Sequence, residues 1–180
     1  MNSFEKLRKV YEKEDEERDK LIKQSREIVK LSKKVIYSVH RHELSKAKKY
    51  LSSMQHKIRS VSDKKEPYSK IAVQEYVEAK LFYDYVNTGK LTMDKLRFDV
   101  DEVLLGICDL TGELMRYATN CFINNNFKTV LEVKKVMDTI YDELGLFDFR
   151  NSELRRKYDS IKYSVKKIDD LVIEIKKLNN

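Results

Sequence analysis

Apolar residues recur at steps of three and four along most of the chain, a periodicity that predicts helices throughout. The first helix is expected over about residues 4–39. Its start, to about residue 20, is almost all charge and is expected to extend from the body. Beyond it, Leu21, Ile22, Ile28, Val29, Val35, Ile36 and Val39 form an apolar stripe near helical period. A second helix is expected over about 43–61, on Leu44, Ala47, Leu51, Met54 and Ile58. The clearest break is Ser62-Asp-Lys-Lys-Glu-Pro67, which holds the single proline. A third helix over about 68–87 ends before Asn87-Thr-Gly89, and Thr92–Leu96 reads as a short turn or helix.

The fourth helix carries Val100, Val103, Leu104, Ile107, Leu110, Leu114, Tyr117 and Cys121. It is apolar over most of its circumference and is therefore expected to be central. Asn124-Asn-Asn126 ends it, and a fifth helix over about 127–144 closes at Gly145. Asn151-Ser152 is expected to cap the last helix. There Leu154, Tyr158, Ile161, Val165, Ile168, Val172 and Ile175 alternate steps of four and three, the heptad of a helix-packing seam. That seam can serve the chain's own core or face another subunit. The expectation is an all-α fold of six or seven helices in one domain over residues 1–180.

Composition agrees with this picture. Charged residues make up 37% of the chain against 41% hydrophobic, with only four Gly, as suits long surface-charged helices rather than turn-rich sheets. The net charge of +7 is unevenly spread. Residues 1–60 carry +8, residues 61–150 carry −4 and residues 151–180 carry +3. A basic chain with an acidic middle points to a polyanionic partner, against the plainer reading of a solvated lysine-rich surface. Cys108 and Cys121 are read as reduced core thiols, since two cysteines in apolar settings make no disulfide framework. No apolar signal region opens the chain, and no run approaches the roughly 18 apolar residues of a membrane span. A soluble, cytoplasmic protein without a membrane partner is expected.

The candidate chemistry lies in Asp109-Leu-Thr-Gly-Glu-Leu-Met-Arg116. Asp109 and Glu113 stand four apart and share one face of an apolar helix. Buried carboxylates must be paired or bind metal, and Arg116, at the next turn, is a candidate counter-ion for Glu113. Glu75 and Glu78 stand three apart on another helix, although Glu14/Glu17 and Asp99/Glu102 share that spacing. Packed side by side, the two helices would offer four carboxylates to a hard cation such as Mg²⁺. Clustered carboxylates repel, so without metal one is expected to hold a proton, and activity is expected to rise with pH and added metal. Arg26, Lys30, Lys33, Lys34 and Arg41 lie along one side of the first helix, where they could contact phosphates. Tyr37 is a candidate for stacking on an unpaired base. His40 and His42 diverge on a helix and are read as surface residues. Gly106 and Gly112 are read as sites of close helix packing.

Three blocks carry a family resemblance. Ser25-Arg-Glu-Ile28 with Ser32-Lys-Lys-Val-Ile-Tyr-Ser-Val-His-Arg41 resembles the first long helix of Trax, the translin-associated factor X. Gln74-Glu-Tyr-Val-Glu-Ala79 together with Leu104-Leu-Gly-Ile-Cys-Asp-Leu-Thr-Gly-Glu-Leu-Met-Arg116 is also Trax-like. Leu154-Arg-Arg-Lys-Tyr-Asp-Ser-Ile-Lys-Tyr-Ser-Val-Lys-Lys-Ile168 is closer to translin. The resemblance implies an all-helical subunit of a closed, roughly octameric barrel. It implies a Mg²⁺-dependent endoribonuclease site, with Mn²⁺ as a substitute, on Glu75, Glu78 and Asp109, and Glu113 belongs to the same motif. It also implies RNA as partner, single-stranded RNA above all, with DNA as the second candidate. A chain that mixes features of both family members is expected to build a homo-oligomer by itself. The alternative is a non-catalytic, translin-like binder of single-stranded nucleic acid.

Overall fold

In a computed structural model, residues 3–64 and 66–178 are described. Met1, Asn2, Lys65, Asn179 and Asn180 lie outside them, so the predicted break at Ser62–Pro67 and the predicted domain are described without these residues. The described residues form six helices: α1 (Ser3–His40), α2 (Leu44–Ile58), α3 (Pro67–Thr88), α4 (Val100–Ile123), α5 (Phe127–Gly145) and α6 (Ser152–Leu178). The expected all-α fold is observed, and Thr92–Leu96 is a turn rather than a seventh helix, closed by Leu96 N–H donating to Met93 C=O.

Local chemistry sets the helix ends. Pro67 opens α3, where its missing N–H costs nothing. Gly89 closes it in the left-handed region at φ 73°, and its N–H donates to Tyr85 C=O. Asp99 caps α4 by accepting from Asp101 N–H. Asn126 accepts from Thr129 N–H at the start of α5. Asn151, as expected, caps α6 by accepting from the N–H groups of Glu153 and Leu154.

α1 packs on α2 and α3, α3 packs on α4, and α4 packs on α5 and α6. The α3–α4 contact thus joins the two halves of the core. The first buried residue of α1 is Leu21, and residues 3–20 are exposed, so the charged start does project. It is not charge alone, since Phe4, Leu7, Val10 and Tyr11 are among its exposed side chains. The seam of α6 turns inward: Leu154, Ile161, Ile168 and Ile175 are buried, and α6 lies on α4 and α5. The seam therefore serves the chain's own core. No helix among the described residues is long and apolar enough to cross a membrane.

Candidate metal and nucleic-acid site

Gly106 brings the acidic pairs within reach of each other. A Cβ there would lie 2.7 Å from Gln74 C=O and 2.8 Å from Val77 Cβ, so only glycine allows α4 to come this close to α3. On α3 the contact, at Gln74 and Val77, falls one residue before each of Glu75 and Glu78, and on α4 it falls one turn before Asp109. Gly112 has no such role, because nothing lies within 4 Å of the position of its Cβ. The close-packing expectation thus holds for Gly106 and is corrected for Gly112, which faces open space.

All four acids are half-buried. Glu78 feels the other three: its carboxyl is pushed up to about 8, first by burial and then by the charges of Asp109, Glu75 and Glu113. Lys157 acts in the opposite direction. The repulsion that the sequence predicts thus acts on Glu78, where it adds to the effect of burial.

Two of the acids are turned to basic side chains. Asp109 Oδ2 accepts from Lys157 Nζ at 2.6 Å. Glu113 Oε2 lies 2.5 Å from His40 Nε2 and 3.8 Å from Arg116 Nη1. The Arg116 counter-ion anticipated from spacing is therefore present, although at the looser of these two distances. Among the described residues, no group of three or more His, Cys, Asp or Glu side chains stands in metal-holding positions. The donor set itself fits a hard cation, since it offers carboxylate oxygens and no sulfur. Gathering the donors around an ion requires Asp109 to exchange Lys157 for it, whereas Glu113 faces His40 and Arg116 through Oε2 alone and has its second oxygen to offer.

The His40 expectation is corrected. Its side chain is only 5% exposed, and its ring lies 4.8 Å from that of Phe82. A signal for this exists in the sequence, because Ser32, Ile36 and His40 follow one another at steps of four and the first two are buried. His42 is exposed, as expected. Lys157 was missed in the sequence. It stands three after Leu154 and four before Ile161, on the inward side of α6.

Arg26, Lys30, Lys33 and Lys34 on α1 and Arg41 just after its end are all exposed. At about 100° per residue they fall within roughly one third of its circumference. Lys34 Nζ lies 5.4 Å from the Tyr50 ring centroid. Tyr37, 51% exposed, sits in the same stripe, and the Arg116 guanidinium lies 5.9 Å from its ring centroid. Arg116 also faces Glu113, so Tyr37 and Arg116 connect the basic stripe to the acidic group.

A six-helix, all-α subunit with four carboxylates across its two central helices and a basic stripe alongside defines the class. The match to family models is specific: residues 16–176 fit the Translin family, and the chain belongs to it. Chicken (Gallus gallus) Translin is 30% identical over 77 residues, which are 43% of this chain and 34% of that protein. In that match the chain spans about a third of the relative's length. The translin-associated protein X homolog of Schizosaccharomyces pombe is 24% identical over 93% of this chain and 84% of its own. Among solved structures, the AfC3PO–duplex RNA complex superposes with a TM-score of 0.85 at 28% identity, covering 99% of this chain and all of that one.

Proposed function

We propose that this protein is a Mg²⁺-dependent endoribonuclease that works as a homo-oligomeric, octamer-like barrel with the acids on its inner face. The observation that carries this reading is the convergence of Glu75, Glu78, Asp109 and Glu113 across the α3–α4 contact, with Glu78 disfavoured as an anion by burial and then by the charges of the other three. Four oxygen donors that repel one another gain most from a shared cation. Glu75, Glu78, Asp109 and Glu113 would hold Mg²⁺, or Mn²⁺ in its place, directly or through water. When bound, the ion would neutralise charge on the scissile phosphate and lower the pKa of a coordinated water.

The chain's own groups do the rest. Glu113 orients the attacking water and takes its proton, the water oxygen bonds to phosphorus as the P–O bond to the departing oxygen breaks, and that oxygen takes a proton from solvent. Arg116 and the stripe of Arg26, Lys30, Lys33, Lys34 and Arg41 hold the flanking phosphates without reading sequence. Exposed Tyr37 offers a face to an unstacked base, which favours single-stranded regions. The related AfC3PO in complex with duplex RNA supports RNA as the ligand class and makes a duplex the natural comparison substrate.

One observation favours a second reading, a non-catalytic binder of single-stranded nucleic acid. Lys157 already engages Asp109 and Arg116 stands beside Glu113, so charge compensation accounts for two of the four acids. The discriminating experiment is cleavage of labelled single-stranded and duplex RNA with Mg²⁺ or EDTA, by wild type and Asp109→Asn. Mg²⁺-dependent cutting that is lost in the variant supports the nuclease. Tight binding without cutting by either protein supports the binder.

A further inference from the structure

His40 and Glu113 are 73 residues apart in sequence, yet their side chains meet at 2.5 Å. The histidine ring is held from both sides. Phe82 of α3 packs against it, and α1 delivers it from the edge of its buried face. Its other nitrogen, Nδ1, is buried and has no hydrogen-bond partner. Nε2 is therefore the ring nitrogen that engages the protein, and toward a carboxylate oxygen it acts as the donor to Glu113 Oε2. Glu113 thereby has one oxygen committed to a fixed donor and the other left for a different task. His40 itself has no spare lone pair directed at the acidic group, so it is not a ligand candidate.

We infer that His40 is a positioning residue, which fixes the rotamer of Glu113 so that its second oxygen is presented to the metal and to the attacking water. The inference rests on the metal-dependent reading above and adds to it a residue outside the acidic motif. Partners of this kind, one bond removed from the ion, orient the groups that do touch it. The geometry also explains why a histidine suits this place. Its ring is rigid, it fills the space against Phe82, and its donor lies at the far end.

The test is Mn²⁺ binding to the full chain, read by the loss of the free-ion electron paramagnetic resonance signal, with no RNA and no turnover. His40→Leu keeps the apolar packing on Phe82 and removes the donor. His40→Gln keeps a donor at the same reach. Mn²⁺ affinity is expected to fall about 10-fold in His40→Leu and to recover in His40→Gln. In a Glu113→Gln background, His40→Leu is expected to cause no further loss, because the histidine acts only through that carboxylate. Thermal melting in EDTA identifies variants that fail to fold, and for such a variant the His40→Gln pair carries the comparison. Wild-type affinity in a folded His40→Leu, or full additivity with Glu113→Gln, overturns the inference and leaves the metal site standing. Absence of Mn²⁺ binding by wild type overturns the metal reading itself, and the inference with it.

Discussion

Lys157 Nζ lies 2.6 Å from Asp109 Oδ2, a contact that reaches from α6 to α4 across 48 residues of sequence. It ties the basic last helix to the acidic group at one of the carboxylates proposed to bind metal. In EDTA the ammonium offsets part of the repulsion among the four acids, and a bound cation would compete with it. Lys157→Met should therefore melt about 2–4 °C lower than wild type in EDTA, as expected for a loss of about 1 kcal/mol. It should also gain more than wild type from added Mg²⁺, because the internal competitor is gone. Differential scanning calorimetry with and without Mg²⁺ checks both halves. An equal Mg²⁺ increment in the two proteins would mean that Lys157 and the ion do not share Asp109.

Gly106 and Gly112 lie on the same helix and should respond oppositely to alanine. At Gly106 the added methyl meets Gln74 C=O and the Val77 side chain, so α4 must move away from α3. A cost of about 1–3 kcal/mol is expected, together with weaker Mn²⁺ binding as the acidic pairs separate. At Gly112 the methyl meets nothing, and alanine is the better helix former. Stabilisation of about 0.5–1 kcal/mol is expected there. Urea unfolding curves of the two variants provide the comparison.

Much of this fold is written in local pattern. The six helices follow from apolar periodicity, and their ends follow from Pro67, Gly89 and Asn151, whose chemistry acts within a few residues. The four acids were legible because Asp109 and Glu113 interrupt an apolar helix and because the blocks around them resemble a family. What local pattern does not carry is docking. Lys157 and His40 reach the acids only through the way α6 lies on α4 and α1 lies on α3, and a histidine or lysine at a seam edge reads as surface in one dimension. The heptad of α6 shows the same limit. Its spacing fits an internal or an intersubunit seam equally well, and only the burial of Leu154, Ile161, Ile168 and Ile175 assigns it inward.

Glu78 gives the metal-free protein a pH dependence of definite sign. Its carboxyl has an ordinary value of 4.5 and is pushed up to about 8 in the fold. Between those values the folded state keeps a proton that the unfolded chain has released, so stability in EDTA falls as pH rises through this window and levels off above it. Glu78→Gln removes the slope and should be the more stable protein at pH 8, by about 1–2 kcal/mol given the water access that Glu78 keeps. Chemical denaturation at several pH values in EDTA tests this, and a wild-type slope retained by the variant would assign the titration to another group.

The basic stripe of α1 makes a prediction about salt rather than about affinity alone. A cation that neutralises a phosphate releases a counterion, so each genuine contact contributes about 0.7 to the slope of log K against log salt for a single strand. Arg26, Lys33 and Arg41 are exposed along the stripe that passes Tyr37 and ends beside Arg116. Replacing all three with Gln should lower the slope by roughly 2 while leaving the melting temperature nearly unchanged, since none is buried. Lys128 on α5, with its side chain 86% exposed, is the control, and Lys128→Gln should leave the slope as it is. Fluorescence anisotropy of a labelled RNA over a salt series, with EDTA present to prevent cleavage, measures both. If the triple variant keeps the wild-type slope, the phosphates lie on another face, and the path from stripe to acids through Tyr37 and Arg116 is not the one the strand takes.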